Sequence, residues 1–187
     1  MENTNKLRLR VLWMTRTAVL VALLIALQWA TVGTQAFAGQ YITGSLVNCV
    51  LAVAALFGGL WSGVVVAVVS PFCAYLLGIG PKLIQIVPCI ALGNVVFVVY
   101  LHLWLGRTKR TLLMQISGLA LAAVAKFALL LISVVRIVVP LMAETIPEQQ
   151  VKLLSAMFSW PQLITALIGG TLAFLVLPVL NKALKKK

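Results

Sequence analysis

Residues 17–30 read TAVLVALLIALQWA, an apolar run carrying Ala18, Ala22, Ala26 and Ala30 at a strict spacing of four. That spacing puts the alanines on one stripe of an α-helix, where small side chains let a second helix approach closely. In water such a stripe is a minor packing detail. In lipid, where burying apolar surface no longer drives helices together, close approach is how one helix finds another. The run predicts a membrane helix with a partner.

Composition points the same way. The chain has 187 residues, of which 63% are hydrophobic and 10% charged, with a mean hydropathy of +1.12. A soluble domain of this size needs far more polar surface to cover its core. The formal net charge of +12 invites a nucleic-acid reading, but the placement of the cations opposes it. Lys6, Arg8, Arg10 and Arg16 precede the first apolar run, Arg107, Lys109 and Arg110 cluster in mid-chain, and Lys182, Lys185, Lys186 and Lys187 close the sequence. Each group sits at the end of an apolar span, as the positive-inside rule describes and a nucleic-acid-binding stripe does not.

A helix needs about 20 apolar residues to cross the hydrocarbon layer. On that basis we expect an all-α integral membrane protein with six transmembrane helices, near residues 14–31, 43–60, 61–79, 83–105, 111–141 and 150–181. No soluble domain fits between the spans, so residues 1–187 form one six-helix transmembrane domain. With the N-terminus cytoplasmic, the even count places the C-terminal lysines and the Arg107–Arg110 cluster inside as well. The outer loops then hold Glu144 and Glu148, two of the three acids. A competing reading takes the basic start and Ala36-Phe37-Ala38 before Gly39 as a cleavable secretory signal; it discards the alanine stripe, and we favour the uncleaved span.

Enzymatic motifs are missing from the sequence: the spans hold no carboxylate, and there is no HExxH and no Walker motif. Cys49, Cys73 and Cys89 lie apart in apolar runs and read as small buried hydrophobes. His102, the single histidine, reads as an interfacial residue beside Tyr100 and Trp104. We expect no metal, no cofactor, no nucleic acid and no catalytic residue. No internal repeat is visible either, which weakens the case for a self-sufficient carrier built from inverted repeats.

Polar residues in and between the spans are the candidates for ligand contact. The uncharged stretch Ala30 to Ile42 contains Gln35, Phe37, Gln40 and Tyr41 and reads as an outer loop, suited to fold back as a lid. Thr43, Ser45 and Asn48 follow in the second span and Asn94 sits in the fourth; asparagine in hydrocarbon needs a hydrogen-bond partner, from another helix or a ligand. Pro71, Pro88 and Pro161 free backbone carbonyls, which is tolerated where the backbone lines a cavity. Trp160 and Gln162, beside Pro161, add an aromatic and an amide group. Lys126 and Arg136 lie in the fifth span with no acidic residue in any span to pair with them. Buried charge in a membrane defaults to function. Arg136 lies nearer the outer end, where it can snorkel or meet Glu144 or Glu148.

The alanine stripe, Thr43-Gly44-Ser45-Leu46-Val47-Asn48, Ala91-Leu92-Gly93-Asn94 and Phe158-Ser159-Trp160-Pro161-Gln162-Leu163 together resemble segments of the S components of energy-coupling factor (ECF) vitamin transporters. The resemblance spans all six predicted helices. It implies a multi-pass protein of the prokaryotic plasma membrane that binds a water-soluble vitamin from outside, beneath the first outer loop. It further implies docking on a transmembrane coupling (T) subunit and two ATPases, with Ala18, Ala22 and Ala26 at the contact. Pantothenate, a folate, a flavin and cobalamin all remain open as cargo. The alternative is an autonomous small-solute channel or facilitator, or a membrane scaffold.

Overall fold

The computed structural model describes residues 2–31, 37–79, 83–106 and 111–185, with side chains over 4–31, 39–79, 83–106 and 111–183. All regular structure in these residues is helical: α1 (Glu2–Ala30), α2 (Phe37–Val53), α3 (Leu60–Leu76), α4 (Val87–Leu105), α5 (Leu112–Leu130), α6 (Val139–Met142), α7 (Glu148–Met157) and α8 (Trp160–Lys185). π-Helical turns extend α2 through Ala54–Gly58 and join α5 to α6 through Leu131–Val138, and a 3-10 turn, Ile84–Ile86, leads into α4. Five helical stretches are long and apolar enough to cross a bilayer: Thr4–Ala30, Gly39–Gly58, Ile84–Leu105, Leu112–Met142 and Glu148–Ala183. The sixth expected span, α3, is apolar but has only 17 residues. Large apolar side chains such as Trp61, Leu76, Leu113 and Val179 point outward, as a lipid-facing perimeter requires.

Helix α1 has 29 residues and, at about 1.5 Å per residue, exceeds the ~30 Å hydrocarbon layer. Residues 4–16 are exposed throughout. Beyond them the helix is two-faced: Thr17, Leu20, Leu24 and Gln28 are buried, while Ala18, Ala22, Ala26 and Ala30 are exposed. The alanine stripe is therefore not spent on packing within the chain.

The other helices pack closely where glycine permits. A Cβ on Gly169 of α8 would collide with the Ser45 carbonyl of α2 and come within 2.6 Å of Asn48 Cβ. A Cβ on Gly63 of α3 would lie 2.6 Å from Val98 and 3.0 Å from Ala55 Cα. These contacts surround one core, built on Leu24, Leu51, Ala55, Phe97, Leu101 and Ala122. A second, smaller cluster of Ile86, Leu130, Val134, Val139, Leu154 and Phe158 lies among the 3-10 turn, α5 to α7 and the α7–α8 junction.

Three boundaries differ from expectation. Helix α2 begins at Phe37, so residues 37–42 are its opening turns and not part of a lid loop. Gln40 and Tyr41 ride on that helix; Gln35 and the side chain of Phe37 lie outside the described residues. The reason is tertiary: Gln40 Nε2 donates to the Met157 carbonyl at the end of α7 at 2.8 Å, so its polar end is satisfied without a loop. The fifth span widens into π-helix over Leu131–Val138, just before Pro140. Proline offers no N–H to the Arg136 carbonyl, and a widened turn accommodates that loss. The sixth span is two helices, broken at Phe158–Ser159 immediately before Pro161. Pro71, in contrast, sits inside α3 without ending it.

Candidate functional site

Two of the three prolines determine where polar side chains anchor. Pro71 cannot donate to the carbonyl four residues back, so Ala67 O is free, and Asn94 Nδ2 of α4 donates to it at 3.5 Å. Pro161 likewise leaves Met157 O without a helical donor. Gln40 Nε2 of α2 (2.8 Å) and Gln162 Nε2 of α8 (3.2 Å) both donate to that oxygen. The freed carbonyls thus fix side-chain amides from three helices.

Lys126 of α5 stands among these amides, with only 3% of its surface exposed. Its Nζ donates to Asn48 Oδ1 at 2.6 Å and to Asn94 Oδ1 at 2.8 Å, and lies 5.5 Å from the centre of the Phe97 ring. A lysine nitrogen only donates, so both asparagines must present oxygen to it and turn their NH2 groups away. Asn48 Nδ2 accordingly donates to Thr165 Oγ1 at 3.4 Å, and Thr165 Oγ1 donates to Gln162 O at 3.2 Å. Lys126 has no carboxylate partner among the described residues; the acidic Glu148 pairs instead with Lys152 at 2.6 Å. Two of the three lysine N–H donors are committed to neutral oxygens, and no carboxylate among the described residues meets the third.

The group opens onto a cavity of about 560 Å³, within the ~300–1,000 Å³ usual for small-molecule sites. Of the candidates named above, Gln40, Thr43, Asn48, Asn94, Lys126 and Gln162 line it. Tyr41 is half-buried and lies off the wall. Trp160 is 67% exposed and stacks on Phe127, with ring centroids 5.5 Å apart. Arg136 is exposed on the π-helical stretch and does not reach the cavity. Within these wider turns the helix advances by fewer degrees per residue, so Arg136 is carried off the face that Lys126 occupies.

Gln28, Ser70, Tyr75, Gln150 and Thr165 also line the cavity and are not among those candidates. Gln28 and Thr165 carry the signal that marks Asn48 and Asn94, a polar side chain within an apolar span. His102 works elsewhere, within the packed bundle. Its Nδ1 donates to the Ala55 carbonyl at 2.9 Å, in the π-helical end of the second span. The cysteines are half-buried thiols without a disulfide.

Outward apolar side chains, five to six long apolar helices and a partly open cavity edged by amides and a lysine define a multi-pass, all-α membrane protein. The family model for the substrate-specific component of ECF transporters matches residues 13–181, and the chain belongs to that family. Its members are transport subunits and not enzymes. No curated protein and no solved structure matched the chain.

Proposed function

We propose that this chain captures a water-soluble vitamin from outside the cell in the cavity above Lys126. It then delivers the vitamin by docking on a transmembrane coupling subunit driven by two ATPases. The observation that carries the reading is Lys126, held by Asn48 and Asn94 at the cavity wall with its charge unpaired. A ligand carboxylate or polarised carbonyl completes that arrangement, and Gln40, Thr43 and Gln162 supply further hydrogen bonds. The cavity volume suits a pantothenate, folate or flavin better than the much bulkier cobalamin.

The charge pattern supports six spans with both termini cytoplasmic. In that orientation the cavity lies toward the outside, near the start of α2 and the end of α5. The exposed face of Ala18, Ala22 and Ala26 lies on the opposite side of α1 from its buried residues and is open to a partner helix. Binding and docking thus occupy different faces.

Native mass spectrometry of the purified protein is expected to find a vitamin bound. Ala22→Trp is expected to abolish uptake by the assembled importer while leaving that binding intact. Uptake that survives Ala22→Trp with the complex assembled removes the docking role. Solute flux through liposomes containing this chain alone, without ATPases, replaces the reading with a facilitator.

A further inference from the structure

Most polar side chains on the cavity wall are spent on the protein itself. Asn48 and Asn94 give their oxygens to Lys126 and their NH2 groups to other helices, and Gln40 and Gln162 each give an Nε2 hydrogen to Met157 O. Thr43 of α2, Tyr75 of α3 and Gln150 of α7 differ. They line the same cavity, are half-buried, and their side chains make no hydrogen bond to any described residue. A helical hydroxyl commonly donates to the carbonyl four residues back, as those of Thr17, Ser133 and Ser155 do here, but that of Thr43 does not.

These unspent groups stand apart from Lys126 along the helices. Thr43 precedes Asn48, which holds Lys126, by five residues of α2, or about 7.5 Å of helix. On α3, Asn94 reaches the Ala67 carbonyl freed by Pro71, and Tyr75 lies a full turn beyond that proline. Gln150 comes from α7, whose last residue, Met157, holds Gln40 in the opening turns of α2. Lys126 is the one charged residue among the described residues of the wall, and no carboxylate lines it. A cationic ligand group therefore meets no anion there, whereas two hydroxyls and an amide can give hydrogen bonds to neutral groups and accept them.

We infer that Tyr75 and Gln150, together with Thr43, bind a neutral polar end of the ligand, a hydroxyl, amide or lactam. The other end of the ligand, roughly 8 Å away, brings an anionic or carbonyl oxygen to Lys126. The cargo is thus elongated and carries no cation. Groups spent within the bundle hold the cavity's shape, and groups without a partner read the ligand. Removing an unspent group takes nothing from the empty protein, so its loss is felt only in binding. The inference rests on the vitamin-capture reading above; it adds two binding residues and the class of molecule they select.

The test uses the full chain in nanodiscs, titrated with pantothenate, riboflavin, folate, cyanocobalamin and the cation thiamine and read by native mass spectrometry. Thiamine is expected not to bind. Tyr75→Phe and Gln150→Leu are each expected to weaken the probe that binds by about three- to tenfold, and together by at least about tenfold. Gln150→Ala serves in place of the leucine variant if the latter does not fold. The melting temperature of each unliganded variant is expected to stay within about 2 °C of wild type. Gln40→Leu, which takes a donor from Met157 O, is expected to lower it. If both single variants bind as tightly as wild type, if their weaker binding comes with a matching loss of unliganded stability, or if thiamine binds, the inference is overturned and vitamin capture stands. If the wild type binds none of the five probes, vitamin capture fails and the inference falls with it.

Discussion

The two ends of the helix bundle are built from the same helices in opposite ways. Around Leu51, Ala55, Phe97 and Leu101 the helices meet without a gap, because glycine and alanine at the crossings bring backbones together. Around Asn48, Asn94 and Lys126 they enclose a cavity of about 560 Å³ instead. Phe97 lies on the boundary, its ring under the Lys126 ammonium and its side chain in the packed core. The wall of that cavity is largely apolar, and its polar groups are gathered where Asn48, Asn94 and Lys126 meet. The packed half sets the geometry of the open half.

The strongest way to break this division is to attack the packed half. Gly63→Leu pushes a side chain into Val98 and the Ala55 backbone, and is expected to cost about 3 kcal/mol. Loss of a monodisperse peak on size exclusion in detergent checks it. Next comes the open half: Lys126→Met removes the cation but keeps the volume. Vitamin affinity is expected to fall roughly ten- to a hundredfold, the worth of a hydrogen bond to a charged group, with the unliganded protein still folded. Titration of the variant in nanodiscs reads both.

Smaller effects sharpen the boundary. Pro71→Ala restores an N–H that competes with Asn94 Nδ2 for the Ala67 carbonyl. Binding is expected to weaken a few-fold, about 1 kcal/mol, while the melting temperature holds or rises. Arg136→Gln and Trp160→Ala are the controls, since both residues lie off the cavity. Each is expected to leave affinity within about twofold, with Trp160→Ala losing up to ~1 kcal/mol of stability from its stacking on Phe127. A large loss of binding in either variant would show that the cavity extends beyond the walls described.

Much of this is legible in one dimension because lipid imposes strict rules. Asn48, Asn94 and Lys126 stand out as polar groups that hydrocarbon does not tolerate unpaired, and the fold brings all three into one cluster. The prolines read as sources of free carbonyls, and at Pro71 and Pro161 the carbonyls four residues back accept side-chain amides. Gln40 reads as a loop residue yet serves from a helix, because its uncharged stretch looks like a turn until Met157 O supplies its partner. Arg136 and Trp160 obey the same polar and aromatic logic as the cavity residues but face elsewhere.

The sequence by itself determined that this is a membrane protein, where its apolar helices run, and that α1 carries a stripe of small residues. These follow from transfer free energies and from helical spacing, which are local properties. Only the tertiary structure decided that the stripe faces outward, that Gln28 on the same helix faces in, and that Lys126 is clamped by two asparagines. The rotation of each helix about its axis depends on its neighbours and on single wide turns such as Leu131–Val138, and no pattern within one helix records that rotation.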